Sequence, residues 1–430
     1  MRIPSASPCG PVVNFETHCS DFFHPSVLAY VLRNRAAHLA RHGRRTGTLA
    51  PGVRDELWQI GAAATSVSAN IEPQTAATLL LSFSKLGQSI PYAVKALTAS
   101  FNFERARPKA IALTLNAFSR QPRVLSHVDS HFWDRLSDAV ERTESQFTPQ
   151  DSAACALSIT GILAANRGKH ALGDAVPLDD STARKLRNVY STVLQYLERM
   201  LNELDSHSFK TRDLSCSLQA VYASRIEAPT LIIAILNKLK EVIPTSLHGI
   251  DDVLFTLDLL PPPCLIGDTV EQRRIKRDVA RAEKAFVEWA FDYLEEHLDC
   301  LRDRELGRIA AACNRLRSWS SDNFAIKFAQ TWEALLSASE EIPPNSLSQG
   351  ACYFLRRYEA SVSRELAARD EAKQLSISRV SDVCARIGEM LHEYARTHYS
   401  KDDLLRVEEV MDIAEQCRAK RTGKQHPRPL

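Results

Sequence analysis

One pattern recurs along this chain and restricts its fold more than any other feature. An apolar anchor is followed two positions on by proline or a turn residue, and three positions on by a long or amide side chain. Apolar or small residues follow at offsets five, six, nine and twelve, and sometimes fifteen. Copies begin at Ile71 (Ile-Glu-Pro-Gln), Ala106, Phe147 (Phe-Thr-Pro-Gln), Phe209, Leu301 and Ile342 (Ile-Pro-Pro-Asn), with a poorer one near Leu247. Spacings of three and four mark one face of an α-helix. Proline suits the first helical turn, where its missing N–H costs nothing. Thr148-Pro149-Gln150-Asp151 reads as a helix start, with Thr148 as N-cap and Asp151 closing a near capping box. Offset six is small in each clear copy (Ala77, Ala112, Ala153, Ser215, Gly307, Ser348), which lets a neighbouring helix approach closely.

Second amphipathic segments lie between these helices: Tyr92–Ser100, Val124–Glu141, Ala183–Leu204, Thr230–Val242, Asp268–Cys300 (one long helix or two) and Phe324–Ser339. The anchors are 35 to 62 residues apart, which fits helix pairs with two insertions. One insertion is Gly168–Ser181; the other spans Pro261–Pro263 and the helix after it. Helix pairs that stack only on their neighbours form a solenoid. The expected fold is therefore all-α, an α-solenoid of about seven degenerate helical hairpins. The repeats occupy 71–374, after an irregular segment at 1–25 and leading helices at 26–70. Capping helices at 375–417 and a basic, disordered tail at 418–430 follow.

Composition narrows the class. Glycine is scarce, 15 in 430 residues, which favours helix. A hydrophobic content of 44% excludes a disordered chain. The longest apolar run, Leu231–Leu236, is far short of the roughly 18 residues of a membrane span. Ten scattered cysteines with no CxxC pair suit a reducing compartment. The formal net charge is only +2, yet charge is segregated. Phe22 to Arg54 holds no acid but carries Arg33, Arg35, Arg41, Arg44, Arg45 and Arg54. A second basic run is Arg273, Arg274, Lys276, Arg277, Arg281 and Lys284; the tail adds Arg418, Lys420, Arg421, Lys424 and Arg428. Leu28–Arg45, Arg-rich and acid-free, is compatible with mitochondrial import.

The string Ile71 to Gly87, ending Leu81-Ser82-Phe83-Ser84-Lys85-Leu86-Gly87, resembles the first helix of heptatricopeptide and octotricopeptide repeats and the related FASTK-family repeats. Phe147–Asp151 is similar to the start of that motif, and Leu115–Arg120 partly to its end. The resemblance spans roughly 71–360 and implies single-stranded RNA binding in mitochondria or plastids. Many such proteins end in a RAP domain, and none is seen here.

Catalytic motifs are missing: no P-loop, GxGxxG, GxSxG or HExxH occurs. His127 and His131, with Asp129 nearby, could share a helix face and supply two metal ligands, without an evident third. No enzyme, cofactor or metal site is expected. The offset-three residues Gln74, Lys109, Gln150, Arg212, Arg304 and Asn345 can all donate hydrogen bonds to phosphates or base edges. Arg41, Arg44, Arg45, Arg273, Arg274, Arg277, Arg418, Lys420 and Arg421 would add sequence-independent phosphate affinity. The expected role is a non-catalytic RNA-binding component of a mitochondrial ribonucleoprotein such as the mitochondrial ribosome. Its partners would be organellar ribosomal RNA and other proteins of that complex, with no DNA. The mitochondrial matrix is the expected compartment, with plastid or cytoplasm as alternatives. The competing expectation is a protein-interaction scaffold without RNA contact, which would expose an apolar patch of several hundred Å².

Overall fold

A computed structural model describes residues 25–42, 44–45, 48–49, 52–87, 90–167, 178–224, 228–261, 270–316, 321–338, 342–367 and 371–398. Among these the chain is all-α apart from a two-residue antiparallel ladder, which pairs Arg44 with Leu49 and Arg45 with Thr48. The helices divide into two compact units, Met1–Ala228 and Pro229–Leu430.

The first unit contains α1 (Pro25–His42), α2 (Val53–Ser66), α3 (Pro73–Lys85), α4 (Pro91–Ala99), α5 (Pro108–Arg120), α6 (Ser130–Arg142), α7 (Pro149–Arg167), α8 (Asp180–Glu203) and α9 (Thr211–Ser224). Odd-numbered helices pack in series, α1 on α3, then α5, α7 and α9. Even-numbered helices form their own contacts, α2 with α4 and α6 with α8. Local chemistry sets the helix starts. Proline occupies the first position of α3, α4, α5 and α7. At α7 the expected capping box forms: Thr148 Oγ1 donates to Asp151 Oδ2 (2.7 Å), and the Asp151 N–H donates back to Thr148 Oγ1 (3.2 Å). Asp179 caps α8 by accepting from the Thr182 N–H at 2.8 Å.

The small offset-six residues Ala77, Ala112, Ala153 and Ser215 are all buried, as close helix approach requires. A ring cluster fills the core where α5, α6 and the α4–α5 connection meet. Phe132 meets Phe103 at 4.9 Å, Trp133 at 5.4 Å, Phe118 at 5.8 Å and Phe101 at 6.0 Å between ring centroids. Arg135 donates to the Phe101 carbonyl at 3.1 Å, and Arg142 donates to that of Phe103. These bonds add partners to backbone acceptors of the α4–α5 connection, where the Phe103 carbonyl also accepts from the Ala106 N–H at 3.1 Å.

The expected helix over Val124–Glu141 is corrected. Pro122–His127 is a 3-10 turn, and α6 begins only at Ser130. Asp129 sits in extended backbone and accepts from the His131 N–H at 2.8 Å. That cap starts a new helix and separates His127 from His131, so the two do not share a helix face. No group of three or more metal-ligating side chains occurs among the described residues.

The second unit contains α10 (Pro229–Val242), α11 (Gly249–Leu259), α12 (Val270–Glu296), α13 (Asp303–Leu316), α14 (Asp322–Ser337), α15 (Pro344–Ala367) and α16 (Glu371–His398). The alternation continues: α11 packs on α13 and α13 on α15, while α10 packs on α12, α12 on α14 and α14 on α16. The Asp268–Cys300 segment is one helix, α12, followed by a 3-10 turn at Leu298–Cys300. A Cβ at Gly307 would stand 2.8 Å from the Ser346 Cα, so only glycine admits this approach of α13 to α15. Phe324, Phe328, Trp332, Tyr353 and Phe354 fill the core. Arg357, at an offset-fifteen position, is buried and forms an ion pair with Asp322 of α14.

Lys401–Gln416 and the tail from 418 lie outside the described residues. No helix described is long and apolar enough to cross a membrane. Cys155, Cys313 and Cys384 are buried, where cysteine acts as a small hydrophobe.

Candidate nucleic-acid interface

The offset-three residues share one structural position. Gln74, Lys109, Gln150, Arg212, Arg304 and Asn345 are each the second residue of their helix: α3, α5, α7, α9, α13 and α15. Gln74 is half-buried and the other five are exposed. Such a position stands beside the unpaired N–H groups of a helix start, on the positive side of the helix dipole. In the first unit α3, α5, α7 and α9 pack in series, so their four donors belong to successive neighbours. In the second unit α13 and α15 do the same.

A second set of cations escaped the sequence reading. Arg107, Lys210 and Arg302 are exposed and stand one residue before α5, α9 and α13. The signal was available, since each is at offset one of its copy, immediately after the apolar anchor. With the offset-three residues they make cation pairs flanking the helix start: Arg107 with Lys109, Lys210 with Arg212, Arg302 with Arg304. The starts of α3, α7 and α15 carry amides instead, Gln74, Gln150 and Asn345. Cationic and amide starts therefore alternate within the first unit, α3 to α9.

Two of the acids nearby are committed to local structure. Asp151 closes the α7 capping box, and Glu305 of α13 accepts from the Arg302 N–H at 2.6 Å. Asp213, third residue of α9, is half-buried. Burial raises its carboxyl above the usual range and the Asp151 charge adds to that, while Lys210 and Arg212 oppose it. Burial also pushes the Cys216 thiol up, one turn beyond Arg212, whose charge opposes the shift.

Asp213 gives a prediction of defined sign. Its folded carboxyl holds a proton more tightly than the unfolded one, so its ionised form costs stability at neutral pH. That cost disappears as pH falls through the folded value. Asp213→Asn is expected to stabilise the protein at pH 7 and to have no such effect in acid. Urea titrations at the two pH values check this. The same change removes a negative charge beside Lys210 and Arg212. RNA affinity at neutral pH should rise about two- to fivefold, the size of a screened charge interaction of roughly 0.5–1 kcal/mol.

The other expected sites fall elsewhere. Arg41 is in the last turn of α1, away from that helix's start, and Arg44 and Arg45 are in the two-residue ladder. Arg35 of the same basic region is engaged by Glu56 of α2, Nη2 to Oε2 at 3.0 Å. Arg273, Arg274 and Arg277 belong to α12, with Arg277 exposed. Arg418, Lys420 and Arg421 lie outside the described residues. Trp133 and Tyr353 are buried in the core and offer no stacking surface. No protein-family model matches the chain, and no curated protein matches it.

Proposed function

We propose that this protein is a non-catalytic α-solenoid that binds RNA along the starts of its odd-numbered helices, as a structural or assembly component of a mitochondrial ribonucleoprotein. One observation carries the reading. Donor side chains occupy the same second position on helices that pack in series, and cation pairs flank the starts of α5, α9 and α13. A polyanion with hydrogen-bonding bases suits such a row: cations hold phosphates, and Gln or Asn side chains reach base edges. The alternation of odd and even helix packing supports a repeat array. The resemblance of Ile71–Gly87 and Phe147–Asp151 to heptatricopeptide and octotricopeptide repeats favours single-stranded RNA in an organelle, with ribosomal RNA the favoured partner.

The test is a salt series on the full chain. Arg212→Glu with Arg304→Glu should weaken binding of an unstructured RNA. It should also lower the slope of log affinity against log salt by about 1.4, roughly 0.7 for each lost phosphate contact. An unchanged slope would contradict the proposal.

A further inference from the structure

We infer that the first half of α12 is an arm that grips the phosphate backbone of duplex RNA without reading its sequence. The inference rests on the RNA-binding reading above but uses a different surface. α12 is 27 residues long, about 40 Å at the helical rise. From Arg277 on, its buried residues begin at Phe286 and continue through Val287, Ala290, Phe291 and Leu294. From Arg277 to Ala285 no residue is buried. The Arg281 and Lys284 side chains are 78% and 77% exposed. Their ion-pair contacts are on α12 itself, Asp278 at 3.3 Å and Glu288 at 3.7 Å, and exposed pairs of this kind are weak.

Arg277, Arg281 and Lys284 recur once per helical turn, about every 5.4 Å, and Arg273, Arg274 and Lys276 precede them in the sequence. Like charges four apart repel, and cations near the start of a helix oppose its dipole. Beyond those two weak pairs the helix alone gains nothing from this arrangement; a polyanion reverses both penalties. The exposed side chains include no aromatic, so bases find no stacking platform. Val279 and Ala282 are half-buried, which leaves no broad apolar face for a membrane. A rigid row of evenly spaced cations matches the regular phosphates of an A-form helix, which proteins recognise by shape and backbone.

The test compares a blunt RNA duplex with an unstructured single strand, using the full chain and the variant Arg277→Gln, Arg281→Gln, Lys284→Gln. Duplex affinity should fall about tenfold or more, and its salt slope by about 2.7, roughly 0.9 per contact. Single-strand affinity should change by less than about twofold, because that site is elsewhere. The variant Arg277→Lys, Arg281→Lys keeps the charges and should keep duplex binding. Unchanged duplex binding would overturn the arm, as would an equal loss on both RNAs. Loss of binding to a polyglutamate probe, with duplex binding intact, would overturn it in favour of an acidic protein partner. Arg212→Glu with Arg304→Glu reads the other surface: loss of the single strand alone leaves the arm standing, and its failure leaves the duplex test unaffected.

Discussion

Phe132→Ala is expected to destabilise the first unit by about 3–5 kcal/mol, the usual cost of deleting a fully packed aromatic ring. Phe132 is 3% exposed and touches four other rings, Phe101, Phe103, Phe118 and Trp133. These rings come from α5, α6 and the α4–α5 connection, so the cavity would open where successive helix pairs meet. Collapse around it is restrained, because Arg135 and Arg142 tie α6 to the Phe101 and Phe103 carbonyls. Urea unfolding followed by tryptophan fluorescence measures the loss. A cost below about 1 kcal/mol would mean that the cluster does not hold these helices together.

Reversing the first-unit cation pairs, Arg107→Glu, Lys109→Glu, Lys210→Glu and Arg212→Glu, is expected to weaken RNA binding about 30- to 700-fold. That range corresponds to roughly 0.5–1 kcal/mol for each of four screened contacts. All four residues are exposed, so the fold should survive the change. The matching neutral-amide variant, with Gln at each position, should lose less, because it removes attraction without adding repulsion. Circular dichroism controls for folding, and a filter-binding series at several salt concentrations reads the effect. Binding equal to the unmodified protein would place the RNA elsewhere.

Much of this architecture was legible because helix starts are written locally. Pro73, Pro108, Pro149 and Pro344 each open the helix that the repeat spacing placed there, and Thr148 and Asp151 form the cap their order implied. The small offset-six positions marked close approach, most sharply at Gly307. Long-range pairing was not legible. Arg357 fell on the apolar face of its copy, but its partner Asp322 is on another helix, and no spacing rule connects them. The turn at Pro122–His127 was read as helix because its apolar spacing continues into α6; the Asp129 cap decides otherwise. Arg107, Lys210 and Arg302 were overlooked because offset one also holds glutamate, threonine and proline in other copies. Only the helix starts show that these cations flank the same position as Lys109, Arg212 and Arg304.

Ultraviolet crosslinking in cells, with the RNA-linked peptides identified by mass spectrometry, tests the central claim most directly. The account predicts organellar ribosomal RNA attached at a few defined sites, on peptides that contain Glu72–Gln74, Arg107–Lys109, Thr148–Gln150, Lys210–Arg212, Arg302–Arg304 and Pro343–Asn345. Recovery of no RNA above a mock control, or of crosslinks confined to other segments, would contradict it.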